Sequence, residues 1–170
     1  MQQTTVATKA ATDSIRSDLR PDKIKRWLRP PDPSPNANHA RKLHHEGTGA
    51  WLLENPVFQE WYSRSRRHLW LNGLTGGGKT VLSATALDHL AKGNDRLILS
   101  FFFDFGDTRK QTLDGMLRSL AFQLDQGGAG CVGLDGSIQA HQDGRDQPAT
   151  KALSDVLFDA CSPEKGLYRS

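Results

Sequence analysis

The chain has 170 residues, 36% of them hydrophobic and 24% charged, with a formal net charge of +3. That length suits one domain with a modest core, and so small a net charge is no nucleic-acid signature, so no specific nucleic-acid partner is expected. Nothing approaches eighteen consecutive apolar residues, so no membrane span is expected; Cys131 and Cys161, without Cys-x-x-Cys or Cys/His spacing, supply no metal or disulfide framework and fit a cytoplasmic protein.

Residues 1–45 hold nine Lys/Arg against four Asp, and the remainder thirteen against fifteen Asp/Glu. The first twenty residues are Thr/Ser/Ala-rich with no apolar run, and read as a disordered tail rather than a signal peptide. "PDKIKRWLR" (21–29) predicts a short helix with Pro21 at its start and Ile24, Trp27 and Leu28 on one face. Lys23, Lys25, Arg26 and Arg29 surround that stripe; a docked helix with a solvated cationic side is favoured over contact with RNA or an anionic membrane. "PPDPSPN" (30–36) stops the helix, because each proline lacks an N–H and turns the preceding residue away from helical backbone. A second helix is expected from Ala37 to about His45, then a turn at Gly47 and Gly49. Trp51, Leu52, Phe58 and Trp61 follow as core anchors around a helix opened by Pro56.

"HLWLNG" (68–73) predicts a buried strand entering a glycine loop, and Val81 to Leu90 a helix with Leu82, Ala86 and Leu90 in register. "RLILSFFFDF" (96–105) predicts a parallel strand covered on both faces. Thr108 and Gln111 have capping-box spacing, ahead of a helix face formed by Leu113, Met116, Leu117, Leu120 and Leu124. Residues 127–148 read as a long surface loop, and 150–161 as a last helix carrying Leu153, Val156, Leu157 and Ala160. Strand, helix, strand, helix is an α/β order. The expected fold is a P-loop NTPase αβα sandwich with an incomplete parallel sheet, preceded by a helical extension over 21–62.

The chemistry concentrates in Gly73-x-x-x-x-Gly78-Lys79-Thr80, a Walker A pattern set between an expected strand and an expected helix. Gly73, Gly76, Gly77 and Gly78 permit the tight turn, whose amides and helix N-terminus form an anion nest. In that reading Lys79 bridges β- and γ-phosphate oxygens and the Thr80 hydroxyl ligates Mg²⁺. Asp104, 25 residues after Lys79, ends an apolar run; it either holds water on Mg²⁺ or caps the strand end. The "DFG" triplet at Asp104–Gly106 lacks the other kinase motifs and is chance. His39, His44, His45, His68, His89 and His141 show no ligand spacing.

"WLRPPDP", "HEGTGAWLL" with Trp61 following, "WLNGLTGGGKT", "LSFFFDFGDTRKQ" and "MLRSLAFQL" form a linked series over about 24–160. The series resembles NACHT-type NTPases of the STAND class, above all the fungal-type, nephrocystin-like N-terminal NACHT modules. The resemblance implies a nucleotide switch within a larger receptor of self/non-self recognition and cell death, taking ATP or GTP with Mg²⁺. By resemblance Thr48 and Gly49 approach the base, while Gly73, Leu74, Thr75, Gly76, Gly77, Gly78, Lys79 and Thr80 hold phosphates and metal, and residues 63–170 form the front part of the NACHT domain.

Two positions depart from the family. Thr75 stands where Pro or Ala is usual, and Gly77 where Cys, Ser or Ala is usual, which implies a more mobile loop. The family's acidic Walker B strand is expected to be missing, leaving nucleotide binding with weak or no hydrolysis. Two alternatives remain: an adaptor or decoy pairing with full-length NACHT receptors or other signalling domains, and a small complete NTPase using Asp104.

Overall fold

The computed structural model describes residues 20–43, 47–93, 96–128, 131–141 and 144–161. In it α1 covers 20–28, followed by α2 (Ser34–Leu43), α3 (Ala50–Glu54), α4 (Pro56–Tyr62) and α5 (Lys79–Ala91). A 3₁₀ turn (Thr108–Lys110) then precedes α6 (Leu113–Gln126), α7 (Cys131–Ala140) and α8 (Thr150–Cys161). The αβα sandwich expected from the sequence does not form: among the described residues there is no strand and no sheet. Residues 68–73 and 96–105, the expected strands, form no strand. A parallel strand is made by its neighbours, which complete its ladder and cover its faces, and β-propensity alone does not replace them. Trp70, Leu74, Phe103 and Phe105 accordingly lie exposed.

The chain divides into two units, one made of residues 33–98 and the other of the segments on either side. In the 33–98 unit, Leu52, Phe58 and Ala86 form a buried cluster onto which Leu53, Trp61, Tyr62, Leu69, Leu71 and Leu82 pack. Leu69 and Leu71 face this core while Trp70 between them is exposed, so the run keeps a two-residue alternation without a ladder. Asn55 caps α4, its side chain accepting from Val57 N–H at 2.9 Å. Trp61 joins the core as expected; Trp51 is 58% exposed and does not. α2 buries Ala37 and Ala40 and packs on α5, where Arg41 pairs with Asp88 at 2.7 Å.

In the other unit the α1 stripe docks as expected. Ile24, Trp27 and Leu28 are buried with Leu117, Ala121, Leu134, Ile138 and Leu153. Trp27 Nε1 donates to the Asp146 carbonyl at 2.6 Å, and Arg20 pairs with Asp125 at 2.8 Å and Asp135 at 3.0 Å. The surface loop expected over 127–148 instead contains α7, whose Leu134 and Ile138 enter this core one turn apart. The capping-box reading at Thr108 is also corrected. Asp107 caps the 3₁₀ turn, and Thr112 is the true N-cap of α6, its hydroxyl accepting from Gly115 N–H at 3.1 Å.

Candidate functional site

The glycine loop leads into α5, whose first residue is Lys79 and whose N-cap, Gly78, has φ +72°. Gly76 has φ +82°. Among the described residues beyond the chain neighbours and the helix's own backbone, no atom lies within 4 Å of where a β-carbon would sit at either position, so the left-handed backbone, not crowding, makes these two residues glycine. Gly77 differs: its N–H donates to Leu74 O at 3.1 Å, and an added β-carbon would meet that same oxygen at 3.0 Å.

The Lys79 ammonium donates to Gly73 O at 2.9 Å and Leu74 O at 2.8 Å, so the loop curls around its own lysine. Leu82 N–H to Gly78 O (2.9 Å) closes the first turn of α5. The amides of that first turn carry no intrahelical partner, and they stand at the positive end of a 13-residue helix. Left-handed glycines with open space beside them, a lysine and a helix N-terminus are a donor set that fits a polyphosphate. Gly73 to Gly78 and Thr80 are exposed and Lys79 is half-buried.

Thr48 and Gly49 come onto the same helix but not into the loop. Gly49, φ +88°, is the N-cap of α3 and is buried against Leu82 and Thr85 of α5. Thr48 lines a cavity of about 400 Å³ with Arg41, Ala84, Thr85, Asp88, His89 and Lys92. None of residues 73–80 is in that lining. Arg41 is held more firmly protonated than usual by its hydrogen bond to Asp88. His89 sits against the rings of Tyr62 and Phe58, at 4.9 and 5.9 Å.

Asp104 belongs to the other unit. Its carboxylate accepts from Gly106 N–H at 2.8 Å, and its carbonyl from Asp107 N–H at 3.3 Å, so the side chain closes a turn. Among the described residues no group of three or more His, Cys, Asp or Glu is placed to hold a metal ion. No helix there is long and apolar enough to cross a membrane.

One set of residues carried no motif and was missed. A cavity of about 300 Å³ is lined by Arg29, Thr108, Arg109, Thr112, Asp114 and Arg118, with Pro31, Gly115 and Gln147. The available signal was Gly115, a glycine inside an otherwise strong helical pattern.

The family described as "Nephrocystin 3, N-terminal" matches residues 47–169, a span that includes the whole glycine loop. Over 76 residues, 44% of the chain, the sequence is 40% identical to the Vegetative incompatibility protein HET-E-1 of Podospora anserina. That match spans 6% of the relative's length. No solved structure matches the chain.

Proposed function

This chain belongs to the nephrocystin 3 N-terminal family of NACHT-type modules, and on that premise we propose that Gly73–Thr80 binds ATP or GTP with Mg²⁺ within a signalling switch. The observation that supports it most is the loop itself, in which Lys79 opens α5 behind two left-handed glycines. In this reading the loop amides and the start of α5 hold the β-phosphate. Lys79 exchanges its two carbonyl acceptors for phosphate oxygens, and Thr80 supplies a hydroxyl to Mg²⁺. The bound metal would neutralise phosphate charge; the chain's own residues orient the polyphosphate and hold it at the loop. Asp104 is already engaged by Gly106 N–H, so it is not assigned the metal, and turnover by the chain alone is expected to be weak or absent.

The relative's name ties it to vegetative incompatibility, and a role in self/non-self signalling, in the cytoplasm and alongside other NACHT or signalling domains, is the matching proposal here. Titration calorimetry with Mg·ATP and Mg·GTP tests the binding step. Lys79→Ala should weaken affinity about tenfold or more, the scale of losing a charge-assisted contact, with the circular dichroism unchanged. Equal affinity in both proteins would reject the assignment.

A further inference from the structure

We propose that the cavity beside Arg29 and Arg109 is a second, independent site, one that binds the dianionic phosphate of a small phosphomonoester. It lies wholly within the unit formed by α1 and residues 99 onward, and it shares no residue with the glycine loop.

Two locally unfavourable choices converge on it. Arg29 follows the last residue of α1 with φ +47°, a left-handed position where glycine is the ordinary residue. Its N–H still closes the helix on Lys25 O at 2.9 Å, so glycine would serve the backbone better. Arg29 is exposed and is one of the residues lining the cavity. The second choice is Gly115, inside α6. A β-carbon there would fall 1.9 Å from the Arg109 carbonyl oxygen. The absence of that carbon lets the 3₁₀ turn lie directly on the first turn of α6 and places Arg109 on the cavity wall.

The remaining charges are accounted for. Arg118 is a frame rather than a ligand, donating to Asp114 (2.6 Å), Leu28 O (3.0 Å), Gln147 (2.8 Å) and Pro148 O (3.2 Å). Asp114 is neutralised by that pair, and its other oxygen accepts from Thr150 at 3.1 Å. Arg109 is shared with Asp107 at 3.3 Å, and Arg29 adds a second cation to the lining. Two guanidiniums with the Thr108 and Thr112 hydroxyls are the donor chemistry that selects phosphate. A cavity of about 300 Å³ is at the small end of ligand pockets, which favours a small phosphorylated molecule over a macromolecule.

The test is an NMR titration of the isotope-labelled full chain with inorganic phosphate and with glycerol phosphate. Saturable shifts are expected at the Arg29 and Arg109 side-chain N–H groups and at the Thr112 amide, and they should persist in Lys79→Ala. Arg29→Gly should weaken phosphate binding at least tenfold while raising the melting midpoint, because it relieves the left-handed strain; a folding defect would do the opposite. A stronger response to glycerol phosphate than to phosphate identifies the ester as the ligand, and an equal one identifies the free anion. Shifts confined to residues 73–80, or Arg29→Gly binding phosphate as the parent does, would overturn the site.

Discussion

Gly47 and Gly49 lie two residues apart with almost the same left-handed backbone, φ +81° and +88°, and this makes a matched experiment. At Gly47 no atom of a described residue beyond its chain neighbours lies within 4 Å of the would-be β-carbon; at Gly49 it would meet Leu82 Cδ2 at 3.2 Å, Thr85 Oγ1 at 3.3 Å and Thr85 Cγ2 at 3.4 Å. Gly47→Ala therefore carries only the conformational term, about 1–2 kcal/mol for an L-residue in this region, offset by roughly 0.4–1 kcal/mol from the stiffer unfolded chain. A net loss of about 1 kcal/mol is expected. Gly49→Ala carries the same term plus overpacking of a buried site, about 1–3 kcal/mol, for a total of about 2–4 kcal/mol. Urea unfolding followed by tryptophan fluorescence reads this, since Trp51, Trp61 and Trp70 all lie in the 33–98 unit. With a slope of about 1–3 kcal/mol per molar, the two midpoints should differ by roughly 1 M. Equal midpoints would refute the claim that Gly49 is held by its packing on α5 rather than by its backbone angle alone.

Arg118→Ala removes four hydrogen bonds and leaves the Leu28 and Pro148 carbonyls without that donor. A loss of about 2–4 kcal/mol is expected in denaturant unfolding, with Arg118→Lys recovering less than half because an ammonium lacks the fork; full rescue by Lys would mean charge alone matters. The Asp107 carboxyl is held below its usual 3.8 by the Arg109 side chain and then by the Arg109 backbone N–H. A depressed native pKa stabilises the fold above the unfolded value, and that contribution is lost as pH falls through the native one. Carboxyl-carbon NMR should show Arg109→Gln moving the Asp107 titration up towards 3.8, and an unmoved midpoint would contradict the contact.

What could be read from the sequence was what is encoded locally. The α1 stripe follows from spacing alone, and Ile24, Trp27 and Leu28 are all buried. The glycine loop is legible because its conformational demand falls on a few neighbouring residues. The strands were not: a ladder depends on distant segments, and strand-like composition at 96–105 leaves Phe103 62% exposed. α7 was missed because Gly133 and Gly136 read as breakers, while burial of Leu134 and Ile138 outweighs a helix penalty of about 1 kcal/mol per glycine. On α6 the spacing placed Leu113 in the core, yet it is 58% exposed, and Ser119 is buried instead, bonded to Gln123 at 3.2 Å. The Arg29 cavity was out of reach because it joins groups that are remote in sequence, and nothing in the string marks Arg29 as left-handed.

Because α1 packs with α6 to α8 while 33–98 forms a unit of its own, the order of folding is constrained. The bond from Arg118 to Leu28 closes a loop of 90 positions, and that from Trp27 to Asp146 one of 119. Closing 90 residues rather than ten adds only about 2 kcal/mol of chain entropy, but contacts of such long range slow the search for the native state. During synthesis the 33–98 segment emerges whole before α6 exists. The amphipathic α1 must therefore wait with its Trp27 face uncovered until α6 to α8 have been made. Shortening the intervening segment should change how fast α1 docks far more than how tightly it is held.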